Sequence, residues 1–151
     1  MEERDVRLAL SLGCTVPDAR LYRRNADALR SVCDVWKMEP FTMVRLKSAG
    51  LMDLVVERLN DEEASLSHYG EMNGDLMADP DIRMEIAEDG SWVRAVTFRN
   101  DYMALATGLR PSDYRDGKDL AGLRDLNRFL ATWLSNLKEQ GFRKPEAGEG
   151  G

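Results

Sequence analysis

The chain reads as an α+β fold, a single antiparallel β meander of four or five strands packed by N- and C-terminal helices. Three observations predict it. Apolar residues recur at helical steps of three and four near both ends, they alternate with period two between Phe41 and Asn100, and turn residues punctuate that alternating middle. At 151 residues the chain is long enough for one core without metal or disulfide staples, and a single domain is expected over 1–142.

The opening MEERDVRLALSLGC carries acids where a secretory signal is positively charged, and is read as the native start. From Pro17 to Trp36 the residues Ala19, Tyr22, Ala26, Leu29, Cys33 and Trp36 form one apolar stripe, so a helix is predicted near 18–36 with Thr15 as N-cap and Pro17 in its first turn. Its other face offers Arg20, Arg23, Arg24 and Arg30, either a basic stripe or solvated helix surface. The strands are expected in TMVRLKS, LMDLVVERL, ASLSHYG, DIRMEIA and SWVRAVTFRN. Asp89-Gly90 suits a two-residue type I′ turn that pairs Glu88 with Ser91 and sets Glu85 opposite Arg94. In that register Ile82, Met84, Ile86, Val93 and Ala95 face the core, while Trp92, Val96 and Phe98 share the other face, a candidate interface that a helix or a partner must cover. The stretch RNDYMALATGLRPSDYRDGK reads as irregular. Leu120, Leu123, Leu126, Leu130, Trp133, Leu134 and Leu137 then form the stripe of a helix from about Asp119 to Gln140, interrupted by Asn127 and stopped by Gly141. The remainder, 143–151, has no apolar periodicity and is expected to be disordered.

Composition excludes several functions. No apolar run approaches the roughly 20 residues of a membrane span, so no membrane partner and a cytoplasmic location are expected. Cys14 and Cys33 make no CxxC pair and the chain has one histidine, which rules out the common zinc patterns. There is no G-x-S-x-G, no Walker A loop and no G-x-G-x-x-G, and no cofactor is expected. The net charge of −6 is uneven: Asp53 to Asp89 holds twelve acids against Arg58 and Arg83, and the remainder is net positive by four. The acidic middle repels phosphate, so it is not expected to bind nucleic acid directly. Cations or basic protein surfaces are its natural partners, unless it is simply a solvated face.

One stretch concentrates chemistry. In HYGEMNGDLMADPD, His68 faces the core by strand alternation and is placed opposite Ile82 or Met84, at the mouth of a long loop. Asn73-Gly74 suits a left-handed step, and Pro80 holds Asp79 extended. In the simplest account Asn73, Asp75 and Asp79 serve the turn, and His68 is a core histidine bonded to one of them. In the alternative, Asp75, Asp79 and Asp81, with Glu71 or Asn73, form an oxygen-rich site for Mg²⁺ or Ca²⁺ with His68 as ligand or base, although the spacing does not match the D-x-[DN]-x-[DN]-G calcium loop. A third account makes the loop and the Tyr69 side a recognition surface.

HYGEMNGDLMADPDIRMEI followed by TFRNDY resembles an uncharacterised domain family of bacterial mobile elements and phages, with the signature H-Y-x3-N-G-D-x3-D-P-[DE] and then an N-D-Y block. The resemblance implies no activity. It implies that His68, Tyr69, Asn73, Gly74, Asp75, Asp79, Pro80, Asn100, Asp101 and Tyr102 act together. Three functions follow as expectations: a non-enzymatic accessory protein of a mobile element that binds a protein partner and could oligomerise, a divalent-metal site or enzyme at the His68–Asp81 loop, or an acidic anti-defence decoy of the nucleic-acid backbone.

Overall fold

In a computed structural model, residues 2–143 are described. The elements run α1 (Glu3–Leu12), α2 (Val16–Val32), β1 (Thr42–Leu46), β2 (Leu54–Arg58), β3 (Glu63–Met72), β4 (Asp75–Ile86), β5 (Val93–Arg99), α3 (Asp101–Thr107), β6 (Ser112–Asp113) and α4 (Leu120–Glu139). All six strands lie in one antiparallel sheet in sequence order, so the meander is as expected but has six strands where four or five are predicted. The sixth strand and α3 both fall in the stretch read as irregular. The expected tail lies outside the described residues from 144 onward. Among those described, no helix is long and apolar enough to cross a membrane.

Helix α1 arises in the stretch read only as the chain start. Its inner face carries Asp5 and Ala9, and a charge on the buried stripe hides the helical period. Glu3 and Asp5 suit its first turn, and Gly13, at φ 68°, supplies the left-handed stop. Helix α2 starts as predicted, with Thr15 Oγ1 accepting the Asp18 N–H at 3.1 Å. It ends at Val32, before Trp36, because Cys33 is extended and the Asp34 carboxylate accepts the Trp36 N–H, opening a separate 3-10 turn at Val35–Lys37. Helix α4 matches its predicted span, capped by Asp119 on the Gly122 N–H (2.8 Å) and stopped by Gly141 at φ 88°.

The two predicted turns exchange roles. Asn73 (φ 53°) and Gly74 (φ 86°) are both left-handed and close Met72 directly onto Asp75, so this is the two-residue hairpin turn, and the expected long loop is paired strand. At the other hairpin only Gly90 is left-handed (φ 80°). The Asp89 carboxylate accepts the Ser91 N–H at 3.0 Å, and the turn closes with the Gly90 N–H on the Ala87 carbonyl. Regular pairing therefore begins at Ile86 and Val93, not at Glu88 and Ser91. The predicted register holds beyond it: Glu85 lies opposite Arg94, whose Nε and Nη2 donate to Glu85 Oε1 at 2.9 and 2.6 Å.

A bulge then changes the faces of β5. Met84 pairs with Ala95 but Arg83 pairs with Thr97, leaving Val96 as the extra residue and turning Phe98 onto the Ile82 side. Trp92, Val96 and Phe98 therefore do not share an exposed face. Val96 is fully buried, Phe98 meets Phe129 edge-on (centroids 5.8 Å apart), and Trp92 is half-buried at the turn. The amide of Asn127 fastens the bulge: its Oδ1 accepts the Ala95 N–H at 2.7 Å, and its Nδ2 donates to the carbonyls of Ala95 (3.0 Å) and Leu123 (2.8 Å). Asn25 of α2 donates in turn to the Asn127 carbonyl at 3.1 Å. These bonds join α2, α4 and β5 around a core that includes Leu29, Val32, Leu54, Val56, Leu66, Ile82, Met84, Leu130 and Leu134.

Candidate functional site

The β3–β4 ribbon carries most of the singled-out residues. Leu66 pairs with Ile82 and Ala64 with Met84, but beyond Ser67 and Asp81 the register shifts, and Tyr69 pairs with Ala78. His68 thus lies opposite Asp79 and Pro80, joined by a cis peptide, and not opposite Ile82 or Met84. Its ring does point coreward. Nδ1 donates to the Asp53 carbonyl at 3.0 Å, and the imidazole sits 5.6 Å from both the Trp133 and Phe142 rings. It is a core histidine, but its partner is the backbone before β2, not Asn73, Asp75 or Asp79.

On the opposite face Tyr69 Oη donates to Asp81 Oδ2 at 2.8 Å, and burial, reinforced by that carboxylate, raises the phenol's pKa. Asn100 donates from Nδ2 to Asp79 Oδ1 (3.1 Å) and caps α3 by accepting the Met103 N–H (3.1 Å). Asp101 accepts both Arg99 Nε and Nη2 at 2.8 Å, and its Oδ2 also takes the Ala78 N–H at 2.8 Å. The Arg99 bonds hold its carboxyl below the usual range against the opposing effect of burial. Tyr102 lies over Gly70 so closely that a Cβ there would fall 2.1 Å from its hydroxyl. The structure therefore brings three links together between the β3–β4 ribbon and the start of α3, Asp79 with Asn100, Ala78 with Asp101 and Gly70 with Tyr102, while the Tyr69–Asp81 bond stays within the ribbon. It leaves Asn73 and Asp75 exposed at the hairpin tip and His68 on the core side. Among the described residues, no three His, Cys, Asp or Glu side chains converge as a metal site would require.

A second location gathers charge. In a meander every second turn falls at the same end of the sheet, so the β2–β3 and β4–β5 turns lie side by side, linked by the Ile86 N–H on the Glu62 carbonyl (2.8 Å). Between them opens a cleft of about 1340 Å³, lined by Asp61, Glu62, Glu63, Glu85, Glu88, Asp89, Arg58, Arg115 and Trp92 among others. Six carboxylates against two guanidinium groups leave it four charges negative. Both guanidinium groups are committed. Arg58 donates to the carbonyls of Val35, Asn60 and Asp61, bracing the first turn, and Arg115 pairs with Glu63 and Asp113. The second turn is braced by Trp36 Nε1 on the Ala87 carbonyl (2.6 Å) and by Arg30, whose two terminal nitrogens each lie 2.8 Å from the Gly90 carbonyl. Hydrogen bonds from Ser91 hold Asp89 below the usual carboxylate range. The cleft is thus a rigid, acidic, aromatic-edged trough. Sequence reading singles out the density of acids and Trp92 but not their meeting, and the alternation of turn ends is the signal that would have found it.

A family model described as a domain of unknown function matches residues 24–143. Neither a curated protein nor a solved structure matches the chain.

Proposed function

The chain belongs to the DUF6908 family, a domain of unknown function, and we propose that it works as a non-enzymatic module that binds a basic segment of a partner protein in the acidic cleft. The observation that carries this reading is the cleft's composition: among the described residues the carboxylates of Asp61, Glu62, Glu88 and Asp89 make no ion pair with a cationic side chain, and they lie beside a half-buried indole. A Lys- or Arg-rich segment meets both demands, by charge pairing and by a cation over the Trp92 ring. The resemblance of His68–Tyr102 to proteins of mobile elements and phages supports an accessory role in such an element.

Titrating the protein with a Lys/Arg-rich peptide tests this. Binding is expected at low salt and weakens as ionic strength rises; it is lost on reversing Asp61, Glu62 and Glu88 to lysine and is weakened by Trp92→Ala. No binding at low salt, or binding indifferent to the reversals, overturns the proposal. The same gathering of six acids on one surface supports a second reading, the anti-defence decoy, whose partner is a nucleic-acid-binding protein. A decoy's binding is competed by duplex DNA and tolerates Trp92→Ala, because backbone mimicry needs the carboxylates and not the indole.

A further inference from the structure

The two edges of the sheet differ. Strand β6 is two residues long, whereas β1 runs five residues and among the described residues has β2 as its sole strand neighbour, leaving its outer edge open to pairing. Beside that edge stand two apolar side chains that add little to this chain's own core: Phe41 is 87% exposed and Met43 54%. Phe41 is also left-handed, at φ 65°, a backbone region that bulky residues avoid. A strained aromatic ring in solvent does nothing for a lone copy, and such a position points to an interaction outside it. The strand is also asymmetric end to end. Met43 is followed on the same face of the strand by Arg45, and Phe41 and Lys47 flank the strand directly beyond its two ends; Arg45 and Lys47 are two cations that share the one carboxylate of Asp53 at 3.6 and 3.7 Å.

We propose that β1 pairs antiparallel with β1 of a second copy of this chain, about a two-fold axis near Val44, joining the two sheets into one. In that arrangement Phe41 and Met43 of each copy lie opposite Lys47 and Arg45 of the other, aromatic and thioether against cation, with no like charges facing. Parallel addition would stack Arg45 on Arg45. The contact is isologous, so it closes at two copies.

Sedimentation or light scattering over a range of concentrations reads the outcome. The mass is expected to double from 17.1 kDa as concentration rises. Met43→Lys, which sets a third cation against the partner's Arg45, is expected to hold the chain at monomer mass. Phe41→Gly gives a second readout with opposite signs: it relieves the left-handed strain and raises the melting temperature in dilute solution, yet it shifts the dimer midpoint to higher concentration. A mass constant at 17.1 kDa throughout overturns the proposal. So does a dimer that both variants leave intact.

Discussion

At the scale of single residues, Asn127 shows how a polar group in a helical apolar stripe can be structural. Val96 bulges beside Ala95, and β6 reaches only Thr97 and Phe98, so the buried backbone N–H and C=O of Ala95 need partners on that side. One primary amide, with a donor and an acceptor side by side, supplies both and holds α4 to β5. Asn127→Ala should lower stability by about 2–4 kcal/mol in urea unfolding, since it strands buried backbone groups as well as removing contacts. A loss under about 1 kcal/mol would mean that the bulge finds other partners. The sequence exposes the interruption at Asn127 but not its purpose, because the bulge it serves has no local signature. His68 is similar. Strand alternation shows that it faces inward, whereas its partner is the carbonyl of Asp53 fifteen residues away, and no side-chain pattern records a backbone acceptor.

Among the elements, the β3–β4 ribbon shows what turn chemistry can and cannot specify. Asn-Gly and Asp-Gly are both left-handed-turn signals, and the chain uses the first for the tight hairpin because the Asp89 carboxylate is engaged by the Ser91 N–H, which favours a turn with only Gly90 left-handed. Helices α2 and α4 are legible to within a few residues because their stripes are long enough to show the period through a polar interruption such as Asn127, and the shorter α1 is hidden because its stripe contains Asp5. Helix α3 was illegible for another reason: it buries no residue fully and is held by its cap, by Asp101 on the Ala78 N–H, and by Tyr102 on Gly70. The last contact is testable. Gly70→Ala should force Tyr102 from its seat and cost about 1–3 kcal/mol, and the cost should shrink when Tyr102→Phe removes the hydroxyl that the new methyl would meet. Equal costs in both backgrounds would show that Gly70 is needed for some other contact.

For the whole molecule, helices are fastened to their neighbours by buried or half-buried aspartates as well as by apolar packing. Arg124 grips Asp18 through two bonds of 3.1 Å, tying α4 to α2, while Arg20 and Arg23 both donate to Asp5, tying α2 to α1. The second clasp lies wholly before residue 24, outside the stretch that matches the family, so α1 is attached by residues the matched stretch does not include. Burial pushes the carboxyls of Asp5 and Asp18 upward, but the arginine bonds more than offset it, and both end below the ordinary aspartate value of 3.8. A carboxyl with a depressed folded-state pKa contributes stability that is fully present above that ordinary value and is lost as pH falls through the lower native one. The protein should therefore hold its melting temperature from neutrality down to about pH 5 and lose it steeply below pH 4. In Asp5→Asn the neutral-pH melting temperature should already be reduced and its further fall in acid should be shallower, because Asp18 and Asp101 still titrate but the α1 clasp no longer does. If the two melting curves instead run parallel down to pH 3, Asp5 carries none of the acid sensitivity, and α1 is held by its apolar contacts and the Glu2–Arg23 pair.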